Sequence, residues 1–219
     1  MPVVIPSRYD DRWAPDLEEL GRRLSKKTKA VVLCTPSNPT GMGIEPDQLK
    51  RLLDIIERES SAYVISDEIY ERLVYDDYVH TSPLHVRPDL KDRIVVASGV
   101  AKSYAMTGWR LGFVGGPKDL VAGMLKLQQQ RYSCATSVSQ VAAAFALHEN
   151  ADVSAAVDNM LKHYSLRRTL VAEHIENISG LRAHSPQGAF YFFIDASELF
   201  PMSHSRIGKI TDDLSLIHI

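Results

Sequence analysis

Short apolar runs at Val31-Val32-Leu33, Ala62-Tyr63-Val64-Ile65 and Ile94-Val95-Val96-Ala97 are continuous, not alternating. Strands buried on both faces of a parallel sheet carry that pattern, so three such strands are predicted, with Val3-Val4-Ile5 a fourth. Between the Leu33 and Ala62 runs, Leu49, Leu52, Leu53 and Ile56 recur at helical spacing, which predicts a crossover helix over residues 47–59. Pro46 and Asp47 suit its first turn, where a missing N–H costs nothing and acid complements the helix dipole. Leu111 to Gly116 reads as one more strand, ended by glycines. Helices are predicted over 117–130 and 138–148. From Val153, apolar residues at spacings of three, four or seven predict a helix of about seven turns, ended by Gly180. Leu181–Ala183 and Ala189–Ile194 read as strands, and residues 205–214 as helix-like.

The alternation of strands and helices makes the first part an α/β unit with a mostly parallel sheet and helices on both faces. A helix as long as the one from Val153 commonly bridges domains. The expected organisation is therefore a large domain over 1–150, with 151–219 holding the long linking helix and a partial small α+β domain. An open sheet ending at residue 1 would leave an unprotected edge, and the apolar tail at Leu216 to Ile219 has nothing after it to pack on; both suggest a fragment of a longer chain.

Composition narrows the function classes. The 219 residues are 45% hydrophobic and 24% charged with a net charge of −2, a folded chain without the basic excess that nucleic acid or an acidic membrane surface would need. Cys34 and Cys134 form no CxxC pair and read as reduced thiols, and the eight histidines show no metal-ligand spacing, so no metal is expected. Surface or helix-end positions are the expectation for those histidines, and packing for Trp13 and Trp109. With no signal-peptide pattern and no apolar stretch of about 20 residues, a cytoplasmic protein is expected.

Three loops follow three predicted strands at their C-terminal ends, where open α/β sheets bind ligands. They are Ser37-Asn38-Pro39-Thr40-Gly41, then Ser66-Asp67-Glu68-Ile69-Tyr70, then Ser98-Gly99-Val100-Ala101-Lys102, which continues through Met106-Thr107-Gly108-Trp109-Arg110-Leu111-Gly112. Singly, each has an ordinary reading as a turn, a helix cap or a solvated lysine. Together they converge on one crevice. No Gly-rich dinucleotide fingerprint competes.

These loops resemble the class I/II, fold-type-I aminotransferases that use pyridoxal 5′-phosphate (PLP). Gly99, Val100, Ala101, Lys102, Ala105, Met106, Gly108, Arg110, Leu111 and Gly112 fit the family's attachment-site pattern, with eight residues from Lys102 to Arg110. The steps from Asn38 to Asp67 and from Asp67 to Lys102, 29 and 35 residues, fit as well. The resemblance implies that Lys102 condenses with the cofactor aldehyde and then shuttles a proton, and that Asp67 keeps the pyridine nitrogen protonated. It implies hydrogen bonds from Tyr70 and Asn38 to the phenolic oxygen, and a phosphate held by Arg110. Where some members carry a phosphate-binding serine three residues before the lysine, this chain has Gly99. Ser98, one earlier, or backbone N–H groups take that role instead. The implied reaction transfers an amino group from an L-amino acid, aspartate or aromatic, to a 2-oxo acid, in a homodimer. A carbon–sulfur β-lyase of the same fold and a non-catalytic PLP-sensing domain of a transcription regulator share the motif and stand as alternatives. An N-terminal phosphate loop and stacking aromatic, and a C-terminal arginine for the substrate carboxylate, are implied but not found in these residues.

Overall fold

The computed structural model describes residues 1–148, 151–200, 203–204 and 208–209. Its main sheet has four strands in the order β1 (Ala30–Cys34), β2 (Tyr63–Asp67), β3 (Ile94–Gly99) and β4 (Gly112–Gly115). The first three are parallel and β4 is antiparallel. Helices α1 (Leu17–Arg23), α2 (Pro46–Glu59) and the short α3 (Pro83–Val86) precede β3, whereas α4 (Lys118–Arg131), α5 (Ser137–Leu147) and α6 (Ala151–Glu176) follow β4. A two-stranded pair, β5 (Ser203–His204) and β6 (Gly208–Lys209), comes last.

Helix α2 shows how the periodicity becomes packing. Leu49, Leu52, Leu53 and Ile56 lie on one face and are buried against Leu20, Leu33, Val64 and Ile94. Pro46 stands in its first turn, where it loses no hydrogen bond. Asp16 caps α1 by accepting from the Glu19 N–H at 2.9 Å. Leu53 is fully buried, so truncation removes both transfer free energy and packing. Leu53→Ala should lower unfolding free energy by about 2–5 kcal/mol, read from urea denaturation of the full polypeptide.

The long helix runs as expected for 26 residues, with Gly180 at φ +86 shortly beyond its end. Three expectations are corrected. Val3-Val4-Ile5 is not a strand: Val3 and Val4 are exposed, and the flanking Pro2 and Pro6 have no N–H to give a ladder. Neither 181–183 nor 189–194 forms a strand. Arg182 makes only an isolated bridge, to Asp195 just beyond the second segment, and Ala189 turns left-handed at φ 56, which breaks the extended backbone. Within the segment read as helix-like, Gly208–Lys209 pairs as a strand; the rest of it, and the tail 216–219, lie outside the described residues.

Considerable apolar surface stays open. Val32 on β1 is 70% exposed, α4 buries none of its residues, and Val141 and Phe145 of α5 are exposed. A cavity of about 910 Å³ runs between residues 1–7 and the outer side of β1. Among the described residues no helix is long and apolar enough to cross a membrane, and no His/Cys/Asp/Glu group could hold a metal.

Candidate active site

The parallel register sets the ends of β1, β2 and β3 side by side, with Cys34 beside Asp67 and Asp67 beside Ala97. Asp67 is half-buried, and its carboxylate accepts the Ile69 N–H at 3.2 Å. No cation pairs with it among the described residues. It is a carboxylate at the C-terminal end of β2 with no positive partner among the described residues. The neighbouring Cys34 thiol is pushed up by burial, and further by the Asp67 charge.

The chain turns sharply after Asp67, with Glu71 N–H donating to Glu68 and Leu73 N–H to Tyr70. That turn buries Tyr70 to 3% exposure, and burial pushes its phenol well above the usual tyrosine range. The Tyr70 and Tyr191 hydroxyl oxygens are 2.8 Å apart, and Asn38 Nδ2 lies 3.5 Å from Tyr191. Phe190 meets Tyr70 edge-on at 5.5 Å and stacks on Tyr164 of α6 at 5.6 Å. Lys102 Nζ stands 5.5 Å from the centre of that Phe190 ring. The lysine rides on a turn beyond β3 anchored by the fully buried Val100, whose carbonyl accepts from Tyr104 and Met106. Ser103 Oγ ties the same turn to the Ile69 carbonyl at 3.3 Å. Asn38, Tyr70 and Lys102 are therefore linked through one aromatic cluster, with Asp67 at the strand end beside it.

Among the described residues, neither Arg110 nor Ser98 makes a hydrogen bond or ring contact with that cluster. Arg110 is exposed, adopts a left-handed backbone at φ 52, and donates to the Thr107 carbonyl at 3.2 Å. β4 then pairs Gly112 with Gly99, so tightly that a Cβ on Gly99 would meet Gly112 Cα at 2.9 Å. Ser98 Oγ is buried with no hydrogen-bond partner of good geometry. Its dipole helps hold down a Glu71 carboxyl that burial, and then the Glu68 carboxylate, push up.

Sequence reasoning missed Phe190 and Tyr191 as site residues, because Gly188-Ala189-Phe190-Tyr191 reads only as an apolar strand. Their position depends on long-range stapling. Ala189 N–H donates to Leu73 O at 2.8 Å and the Tyr75 hydroxyl donates to Ala189 O, while Gln187 and Gly188 N–H both donate to Gly41 O. Gly188 is required there, since a Cβ would meet Pro36 at 2.6 Å and Leu73 O at 2.8 Å. His80 also departs from expectation. Its side chain is only 9% exposed, with Nε2 3.0 Å from Glu68 Oε2, while Ser82 Oγ donates to Glu68 Oε1 at 2.8 Å. Trp13 packs as expected, edge-on to Phe193 at 4.9 Å.

This sheet order, with an acid ending the second strand and a lysine turn following the third, is the architecture of PLP-dependent transferases. The chain belongs to the class I and II aminotransferases, whose family model matches residues 2–214. It is 37% identical over 215 residues to the bifunctional aspartate aminotransferase and glutamate/aspartate-prephenate aminotransferase of Petunia hybrida, covering 98% of this chain and 45% of that one. The crystal structure of aspartate aminotransferase from Rhizobium meliloti superposes with a TM-score of 0.93 at 32% identity, covering 98% of this chain and 53% of that one. The Thermus thermophilus aspartate aminotransferase with maleate gives a TM-score of 0.85 at 33% identity, over 91% of this chain and 50% of that one. The chain thus spans about half the length of the relatives it matches. Class I and II aminotransferases use PLP.

Proposed function

We propose that the protein containing this chain transfers the amino group of an L-amino acid, aspartate first, to a 2-oxo acid. The observation that carries the reading is the meeting of Asn38, Asp67, Tyr70 and Lys102 at the ends of three adjacent strands. Their chemistry matches the cofactor group for group. Lys102 is an amine for an aldehyde, the Asp67 carboxylate, without a cation among the described residues, suits a protonated ring nitrogen, and Tyr70 and Asn38 can donate to a phenolic oxygen. Arg110, whose guanidinium bonds to the nearby Thr107 carbonyl, has N–H groups left over to grip a phosphate. Ser98 or the backbone N–H groups of its loop complete that grip.

When bound, PLP supplies an aldehyde for the incoming amine and a ring that takes up the electron pair left when Cα loses its proton. Lys102 would take and hold that proton at its Nζ. Asp67 keeps the ring nitrogen protonated. Tyr70 and Asn38 favour the ionised phenolic oxygen. Aspartate is supported by the names of the relatives above and by the dicarboxylate maleate in the Thermus structure. A cytoplasmic homodimer belongs to the same reading; the exposed apolar residues of α5 support the homodimer.

The test gives the full polypeptide PLP, 15N-aspartate and 2-oxoglutarate. Label arriving in glutamate, with oxaloacetate formed in equal amount, is the expected result. Release of labelled ammonia without an acceptor would replace transfer by elimination.

A further inference from the structure

Tyr191 lies 153 residues from Asn38 and 121 from Tyr70, yet its hydroxyl is placed between them. It is half-buried, with its ring edge-on to Tyr70 at 5.9 Å and tilted against Phe190 at 4.8 Å. The backbone before it is pinned to both site loops, through Gly188 N–H on Gly41 O and Ala189 N–H on Leu73 O, each at 2.8 Å. Its hydroxyl is therefore held in place by the fold.

We infer that Tyr191 is a positioning residue that sets the direction of a hydrogen-bond chain running from Asn38 through Tyr191 to Tyr70. The inference rests on the function proposed above and adds to it a role for a third residue. An amide nitrogen can only donate, so Asn38 Nδ2 gives its hydrogen to the Tyr191 oxygen. Either hydroxyl could donate across the 2.8 Å contact, and the proposed chain gives the Tyr191 proton to the Tyr70 oxygen. Tyr70, having accepted, keeps its own proton free for the crevice. Each link polarises the next, so Tyr70 becomes a stronger donor than an isolated phenol. Without Tyr191, Tyr70 would have no fixed reason to point its proton at a ligand. The opposite chain, with the Asn38 oxygen toward Tyr191, would draw the Tyr70 proton away from the crevice and leave it an acceptor.

Tyr191→Phe removes only the hydroxyl and separates the two directions by sign. In the PLP-loaded full polypeptide, the pH at which the visible absorption of the bound cofactor changes should rise by about one unit, because the ionised phenolic oxygen loses part of its support. A fall in that pH would mean that Tyr191 had been taking the Tyr70 proton, and no change would mean no coupling; either overturns the inference. A second readout needs no cofactor. With tyrosine labelled at Cζ with 13C, and Tyr70 assigned by Tyr70→Phe, the Tyr70 signal of the cofactor-free protein should move downfield in Tyr191→Phe, as expected for loss of an accepted hydrogen bond. An upfield move or none counts against the chain as drawn. If wild-type protein binds no PLP, the proposed reaction fails while the carbon signal still decides the chain.

Discussion

Lys102→Ala should leave the full polypeptide unable to hold PLP covalently and should lower amino transfer by at least about 10²–10⁴-fold, the worth of one positioned acid–base group. The side chain is half-buried and its described contact is with the Phe190 ring, an interaction of about 0.5–1 kcal/mol at an exposed site. Thermal stability of the cofactor-free protein should accordingly change little, which separates loss of chemistry from loss of fold. Lys102→Arg sharpens the point. It keeps the positive charge over Phe190 but cannot give up a proton near neutral pH. Both variants should fail alike if the amine is what matters, whereas rescue by arginine would reduce Lys102 to a local charge. Mass spectrometry of the peptide bearing residue 102, after borohydride reduction in the presence of PLP, reads attachment directly. Cofactor mass on any other residue, or turnover within tenfold of wild type in Lys102→Ala, would remove the lysine from its assigned role.

Asp67→Asn should reduce turnover by roughly 10²–10⁴-fold, the order expected when one partner of a charge pair worth about 3–5 kcal/mol is removed. The amide oxygen can still accept from the Ile69 N–H, so the turn that buries Tyr70 should survive. What is lost is the charge. Asp67 stands without a cation among the described residues and close enough to Cys34 to raise its thiol, so the substitution should also let that thiol ionise at lower pH. Rates of Cys34 alkylation against pH in the cofactor-free protein therefore report the Asp67 charge independently of turnover. A shift in the thiol profile with unchanged turnover would leave the carboxylate as a mere neighbour of the site.

Much of the sheet was legible from residue type. Continuous runs such as Ile94-Val95-Val96 gave buried strands, and the Leu49-Leu52-Leu53-Ile56 stripe gave α2, because burial on two faces or on one stripe demands those patterns. Short elements were less readable. Val3-Val4-Ile5 has strand-like residues but prolines on both sides, and 189–194 has apolar residues, but Ala189 at its start spends its N–H on Leu73 and its carbonyl on Tyr75. His80 was misread for a related reason, since the carboxylate that makes its burial tolerable comes from Glu68 in another loop.

By itself the sequence determined the chemistry available: an amine, a carboxylate, a phenol and an amide, each just past an apolar run whose length commits it to a parallel strand. Those are local properties, set by side-chain type and by which peptide groups must be buried. Only the tertiary structure decided that Gly188 could slip between Pro36 and Leu73, and so bring Phe190 over Lys102 and Tyr191 between Asn38 and Tyr70. That arrangement depends on contacts between residues roughly ninety to a hundred and fifty positions apart, which no short-range pattern encodes.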